Sequence, residues 1–195
     1  MKIKTALILS AGFGTRLLPL TKRTPKPLLE INNKKLLDNT INFVLQLGIK
    51  KIKINTFYLS EQIEKFVKIK NYPAIIDVIN DGEEILGTGG GILNLIKNSN
   101  EDDFISLNPD TIWNIKDINT ILKMQKFYFE NKIRNMLMVV NKDKSFDKRF
   151  KGDFTINNNY LSKQIDNNYI YTGCQIFHKK FFNNFNKKFF SISEI

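Results

Sequence analysis

The residues able to do chemistry cluster near the amino end, in Ser10-Ala11-Gly12-Phe13-Gly14-Thr15-Arg16, with Lys26 between two prolines just beyond. Glycine carries no Cβ, so a backbone at Gly12 and Gly14 can approach a ligand closely. Successive N–H groups in such a loop can converge on anionic oxygens. Arg16 adds a forked cation and Lys26 a point charge. A donor-lined loop with two cations suits a nucleoside triphosphate. The loop is not a Walker motif, because no Gly-Lys-Ser/Thr follows, and it lacks the third glycine of a dinucleotide fingerprint. Taken alone, Gly12-x-Gly14 fits a tight turn leaving a core strand equally well. Asp110, in Leu107-Asn108-Pro109-Asp110, is a carboxylate at the end of an apolar run. Facing a phosphate loop, it is placed to hold Mg²⁺, which takes one or two carboxylates together with phosphate oxygens and water. Other chemistries find little support. His178 is the only histidine and Cys174 the only cysteine, so a multi-histidine zinc site is excluded. Cys174 reads as a small core residue and Trp113 as packing.

The longer pattern is more specific. Ala11-Gly12-x-Gly14-Thr15-Arg16-Leu17, Pro19-Leu20-Thr21 and Thr24-Pro25-Lys26-Pro27-Leu28 resemble the signature of sugar-1-phosphate nucleotidylyltransferases. Ile54-Asn55-Thr56-x-Tyr58-Leu59-x-Glu61-Gln62-Ile63 and Gly87-Thr88-Gly89-Gly90-Gly91-Ile92 look like the branch that includes N-acetylmuramate-1-phosphate uridylyltransferase. The resemblance implies a nucleotide-diphospho-sugar transferase fold, with a nucleoside triphosphate and a sugar 1-phosphate as partners and Mg²⁺ as cofactor. It puts the nucleotide on Ala11, Gly12, Phe13, Gly14, Thr15, Arg16 and Lys26, and the base beside Thr88 and Gly89. It puts the metal on Asp110 and the sugar phosphate near Asn108, Gly152, Thr172 and Gly173. Arg16, Lys26 and Asp110 are then the catalytic set. UTP with N-acetylmuramate 1-phosphate, in cell-wall precursor recycling, is the first expectation. Guanylyl transfer to mannose or heptose 1-phosphate is the alternative, and a non-catalytic nucleotide-binding module the third reading. The family also supplies a second metal-binding aspartate late in its catalytic domain. No equivalent precedes Ile195, so residues 1–195 are expected to form a single domain lacking its C-terminal end.

These residues need a scaffold. Thr5 to Leu9 has the length and aliphatic content of a buried strand. Leu37, Ile41, Val44 and Leu45 recur at helical spacing, with Gly48 as the stop. Lys51-Ile52-Lys53-Ile54 alternates as a strand does. Ser60 is expected to cap a helix carrying Ile63, Phe66 and Val67 inward, with Pro73 beyond it. Ala74 to Ile79 reads as a strand, and Gly87 to Gly91 as the opening of a helix through Ile96. Phe104 to Leu107 is a strand, Asp117 the cap of a helix with Ile118, Ile121 and Leu122 inward, and Met136 to Val140 a strand. From Phe150 the chain turns to short aromatic and β-branched segments, 154–156, 160–165 and 169–177, expected as a small antiparallel addition, with a short helix over 178–185. The alternation predicts an α/β, Rossmann-like three-layer sandwich with a mostly parallel, mixed sheet. Ligands of such sheets sit at the carboxyl ends of strands, where both the loop after Leu9 and Asn108–Asp110 fall.

Composition sets outer bounds. The formal charge is +11, yet the lysines are scattered rather than gathered, so no nucleic-acid partner is expected. No apolar run is long enough to cross a bilayer, so no membrane partner is expected. A lone cysteine and no apparent secretory signal suggest a cytoplasmic setting.

Overall fold

Helix and strand alternate along most of the chain: β1 (Thr5–Leu9), the short pair β2 (Glu30–Ile31) and β3 (Lys34–Lys35), α1 (Leu36–Gln46), β4 (Lys51–Thr56), α2 (Ser60–Lys70), β5 (Ile75–Asn80), α3 (Gly87–Ile96), β6 (Asp103–Leu107), α4 (Ile115–Glu130), β7 (Asn135–Asn141), β8 (Thr155–Asn157), β9 (Tyr160–Ser162) and β10 (Tyr169–His178). The structure is a computed structural model and describes residues 2–97, 99–149, 151–183, 185 and 187–194; the expected change of character at Phe150 falls outside them. Six strands form one sheet in the order β5-β4-β1-β6-β10-β7. β5, β4, β1 and β6 are parallel, and β10 runs antiparallel to both of its neighbours. The expected mixed, mostly parallel sheet is therefore present.

Side-chain alternation sorts the strands into two apolar layers. Ala6, Ile8, Ile52, Ile54, Ile105 and Ile176 pack beneath α1, α2 and α4, with Leu37, Ile41, Ile63, Ile121 and Met124. Leu7, Phe104 and Phe177 face the other way, against Ile92 and Leu95 of α3 and against Phe182 and Phe190. Trp113 is buried and stacks on Phe43 at 5.4 Å. Among the described residues no helix is long and apolar enough to cross a membrane.

Several local expectations change. β10 is not part of a separate addition. It inserts between β6 and β7, because Cys174 to Phe177 are apolar or amide-bearing residues buried within the sheet. Of the three expected segments, β8 and β9 pair as a separate hairpin. Helix α4 is capped by Asn114, not Asp117: the Asn114 side chain accepts from Lys116 N, while Asp117 accepts from Asn114 N, a capping box. Leu122 points outward and is exposed. Ser60 is the first residue of α2 rather than its cap; Leu59, at φ 52°, precedes it without a side-chain cap bond. The helix expected over 178–185 is a 3₁₀ turn at Lys179–Phe182, and His178 closes β10, its Nδ1 accepting from Lys180 N.

Candidate active site

The carboxyl ends of β1, β4 and β6 and the amino end of α3 enclose a cleft of about 340 Å³. Such a position follows from the topology: parallel strands β4, β1 and β6 all deliver their loops to one edge. Ala11, Gly12, Gly14, Thr15, Arg16, Lys26, Thr88, Asn108 and Asp110 line it together. The ammonium of Lys26 meets the carboxylate of Asp110 in an ion pair, although 84 residues separate them. Both side chains keep partial exposure, 28% and 40%, so each remains available to a ligand.

The two glycines of the loop differ. A Cβ on Gly12 would meet nothing within 4 Å, so the fold does not demand glycine there and the space beside it is open. Gly14 has φ +66°, and a Cβ there would come within 2.8 Å of Thr21 and 3.1 Å of the Lys26 Cβ. Its carbonyl accepts from the Thr21 hydroxyl at 2.9 Å. Gly14 thus lets the segment carrying Lys26 fold back beside the loop, which is what brings the lysine to the cleft.

The second motif secures the same loop from outside. Phe13 is 44% exposed and sets its ring against Phe57 and Tyr58, at 5.6 and 5.5 Å between centroids. The Tyr58 hydroxyl donates to Lys22 O, and Gln62 Nε2 donates to Arg23 O. Phe13 is therefore an anchor on the outer side of the loop and does not line the cleft.

The Gly87–Gly91 run also divides its work. Gly87 and Thr88 line the cleft. Gly89 is buried under Phe190, where a Cβ would fall 2.1 Å from the ring, and a Cβ on Gly90 would lie 2.4 Å from the Lys188 carbonyl. Gly89 N donates to Phe190 O, and Thr88 Oγ1 accepts from Ile192 N. Gly89 packs closely against Phe190 in this structure.

Of the residues expected near the sugar, Asn108 lines the cleft, whereas Thr172, Gly173 and Gly152 do not. β10 loses its register with β7 between Tyr171 and Gln175. In that bulge Gly173, at φ +86°, offers its carbonyl to Asn108 N at 2.9 Å, and Thr172 O accepts from the Thr111 hydroxyl. Thr172 and Gly173 thus brace the Asn108–Asp110 loop from below. Gly152, at φ +80°, turns the chain against the Asn167 carbonyl and lines no part of the cleft.

Sequence reasoning assigned no role to Ser10, Asn55, Pro27, Leu36, Ile85 and Gly87, which also line the cleft. Asn55 carried a signal, a polar amide next to the end of an isoleucine-bearing strand, and the structure buries it to 2% exposure. Asp81 lies behind it, and burial pushes its carboxyl above the ordinary range, against hydrogen bonds from Asn94 and Asn55 that pull it down.

The family model for nucleotidyl transferases matches residues 5–148. The catalytic subunit beta of mannose-1-phosphate guanylyltransferase from Drosophila melanogaster is 37% identical over 110 residues, 55% of this chain and 30% of that protein. The N-acetylmuramate α-1-phosphate uridylyltransferase of Caulobacter vibrioides is 29% identical over 113 residues, 56% of this chain and 47% of that protein. The chain thus matches less than half the length of these curated relatives. Among solved structures, HddC from Yersinia pseudotuberculosis complexed with GMP-PN superposes with a TM-score of 0.78 at 24% identity, over 98% of this chain and 84% of that one. The inositol-1-phosphate CTP transferase from T. maritima gives a TM-score of 0.82 at 16% identity, over 98% and 78%. These likenesses establish the nucleotide-diphospho-sugar transferase fold. With the cleft and its lining lying wholly inside the matched span, the chain belongs to the nucleotidyl transferase family.

Proposed function

We propose that the chain transfers a nucleoside monophosphate from a nucleoside triphosphate to a sugar 1-phosphate, forming a nucleotide sugar and releasing pyrophosphate. The observation that carries this reading is the meeting of the 10–16 loop, Lys26 and Asp110 in one cleft at the carboxyl ends of β1 and β6. The attacking oxygen belongs to a phosphate monoester, already an anion, so no strong general base is required. The obstacle is the approach of two anions, and catalysis rests on alignment and charge neutralisation. The loop amides from Ala11 to Arg16 would hold the triphosphate. Arg16 would fork onto its outer oxygens, and Lys26 would exchange Asp110 for oxygens of the α-phosphate and stabilise the charge that builds there. The residues present fit Mg²⁺: Asp110 is a partly exposed carboxylate lining the cleft, and this ion needs few protein ligands when phosphates complete its shell. Asp110 would hold Mg²⁺, which would supply positive charge against the phosphate oxygens.

For the base and sugar, uridine with N-acetylmuramate 1-phosphate is our first assignment, supported by the motif around Asn55–Ile63 and by the Caulobacter relative. Guanosine with mannose 1-phosphate is the second, supported by the Drosophila relative. A pyrophosphate-release screen of four triphosphates against a panel of sugar 1-phosphates tests both. Release that requires one particular pair supports transfer and names the substrates. Triphosphate binding without release under any pairing contradicts transfer and favours a nucleotide-binding module.

A further inference from the structure

We propose that Asn55 and Asp81 are positioning residues that fix where the triphosphate loop leaves β1; the expected effect on turnover rests on the function proposed above, whereas the loop geometry does not. β1 and β4 pair in parallel with Leu9 opposite Asn55, where the ladder ends. The Asn55 side chain extends it by one residue. Ser10 N donates both to the Asn55 carbonyl at 3.2 Å and to Asn55 Oδ1 at 2.9 Å. Asn55 Nδ2 donates to Asp81 Oδ2 at 2.9 Å, and Asn94 Nδ2 donates to Asp81 Oδ1 at 3.1 Å. Ser10, Asn55 and Asp81 are each at least nine-tenths buried.

The chain of bonds admits one arrangement. A backbone N–H only donates and an ionised carboxylate only accepts, so the amide between them must present its oxygen to Ser10 and its nitrogen to Asp81. Turning the amide over would set oxygen against carboxylate and NH₂ against N–H, two repulsive contacts in a buried place. Asp81 therefore dictates the orientation of Asn55, and Asn55 dictates the position of the Ser10 amide. Ser10 is followed directly by Ala11 and Gly12, the first residues of the loop. Gly91 is part of the device: a Cβ there would sit 2.5 Å from Asn55 Nδ2. The network thus ties together β1, β4, the residue after β5, and α3, the elements that shape one side of the cleft.

A charge exchange tests this. Asn55→Asp alone faces two carboxylates across a buried contact and offers Asp81 no donor. The pair Asn55→Asp with Asp81→Asn restores every bond. The carboxylate introduced at position 55 accepts from Ser10 N through one oxygen. Its other oxygen accepts from the amide nitrogen introduced at position 81, and the oxygen of that amide accepts from Asn94 Nδ2. Amide hydrogen exchange is read at residues 10–16, with far-β5 amides as reference, alongside the thermal midpoint and, with the best substrate pair of the screen, kcat and KM. The single variant is expected to lose at least about tenfold protection at residues 10–16 relative to the reference. Its KM for the triphosphate should rise by more than its kcat falls. The double variant should recover most of the protection and of the midpoint. Unchanged protection in Asn55→Asp, or a double variant no better than the single, overturns the proposal. Should Asn55→Asp fail to fold, the double variant against Asp81→Asn gives the same comparison, since Asp81→Asn alone offers one oxygen to the two donors Asn55 Nδ2 and Asn94 Nδ2, a mismatch that the carboxylate introduced at position 55 relieves. A wild-type chain with no turnover overturns the proposed function, while the exchange data still decide this inference.

Discussion

At the scale of single residues, Lys26 and Arg16 supply the charge on which the account depends. Replacing either with alanine is expected to cut turnover by at least about a hundredfold. The fold should survive, because the Lys26–Asp110 pair is partly exposed and such pairs contribute roughly 0–1 kcal/mol. Pyrophosphate release together with a thermal melt checks both halves. Cys174 makes the opposite case. It is wholly buried and burial pushes its thiol well above the usual range, reinforced by the charge of Asp117. A chromogenic disulfide reagent should react with it only as fast as the protein opens, and denaturant should expose one thiol per chain. The types of these residues were legible in the sequence. What Phe13, Gly89, Thr172 and Gly173 touch was not. A motif records which residues recur together, and it does not separate those that meet a ligand from those that brace the ones that do. Phe190 closing over Gly89 and Gly173 supporting Asn108 are contacts between segments far apart in the chain.

At the scale of elements, Gly12 and Gly14 give a contrasting pair. Gly14→Ala meets an unfavourable φ and the side chains of Thr21 and Lys26, so both stability and activity should fall, the former by about 1 kcal/mol or more. Gly12→Ala places its methyl in open cleft space, so the melting point should hold while KM for the triphosphate rises several-fold. Equal melting losses in the two variants would contradict the separation of roles. At the opposite end of the sheet, Glu101 accepts from Thr5 of β1, Lys51 of β4 and Ser99. Burial alone would raise its pKa, but the hydrogen bonds from Lys51, Thr5 and Ser99 outweigh it and hold the carboxyl at about 2. A carboxyl lowered from 4.5 stabilises the fold above that pH and loses its contribution as the pH falls towards 2. Denaturant melts of the wild type and Glu101→Gln should differ at neutral pH and converge across that window, with turnover unaffected by the substitution. Strands and helices were readable from periodicity, since Lys51-Ile52-Lys53-Ile54 can bury only one face cleanly. The place of β10 was not, because a strand's own pattern does not say which neighbours it will join. The cap of α4 was half visible: Asp117 was recognisable as an acidic helix-start residue, but its partner Asn114 lies three positions earlier and the two act reciprocally.

At the scale of the whole molecule, the fold brings together charges that the sequence keeps apart. Lys26 follows β1 and Asp110 follows β6, and a sheet that sets β6 beside β1 lets them face each other. That much was inferable, because parallel sheets deliver their loops to one edge. The net charge of +11 adds a diffuse attraction for polyanionic substrates. KM for the triphosphate should therefore climb as sodium chloride is raised from low concentration to above physiological levels, with kcat changing less. The most direct measurement of the central claim is calorimetric titration of nucleoside triphosphate, with magnesium, into the wild-type chain and into the Arg16→Ala/Lys26→Ala double variant. The wild type should bind one equivalent, and the double variant at least about a hundredfold more weakly while melting at nearly the same temperature. Equal affinity in the two proteins would contradict the assignment of the cleft as the triphosphate site.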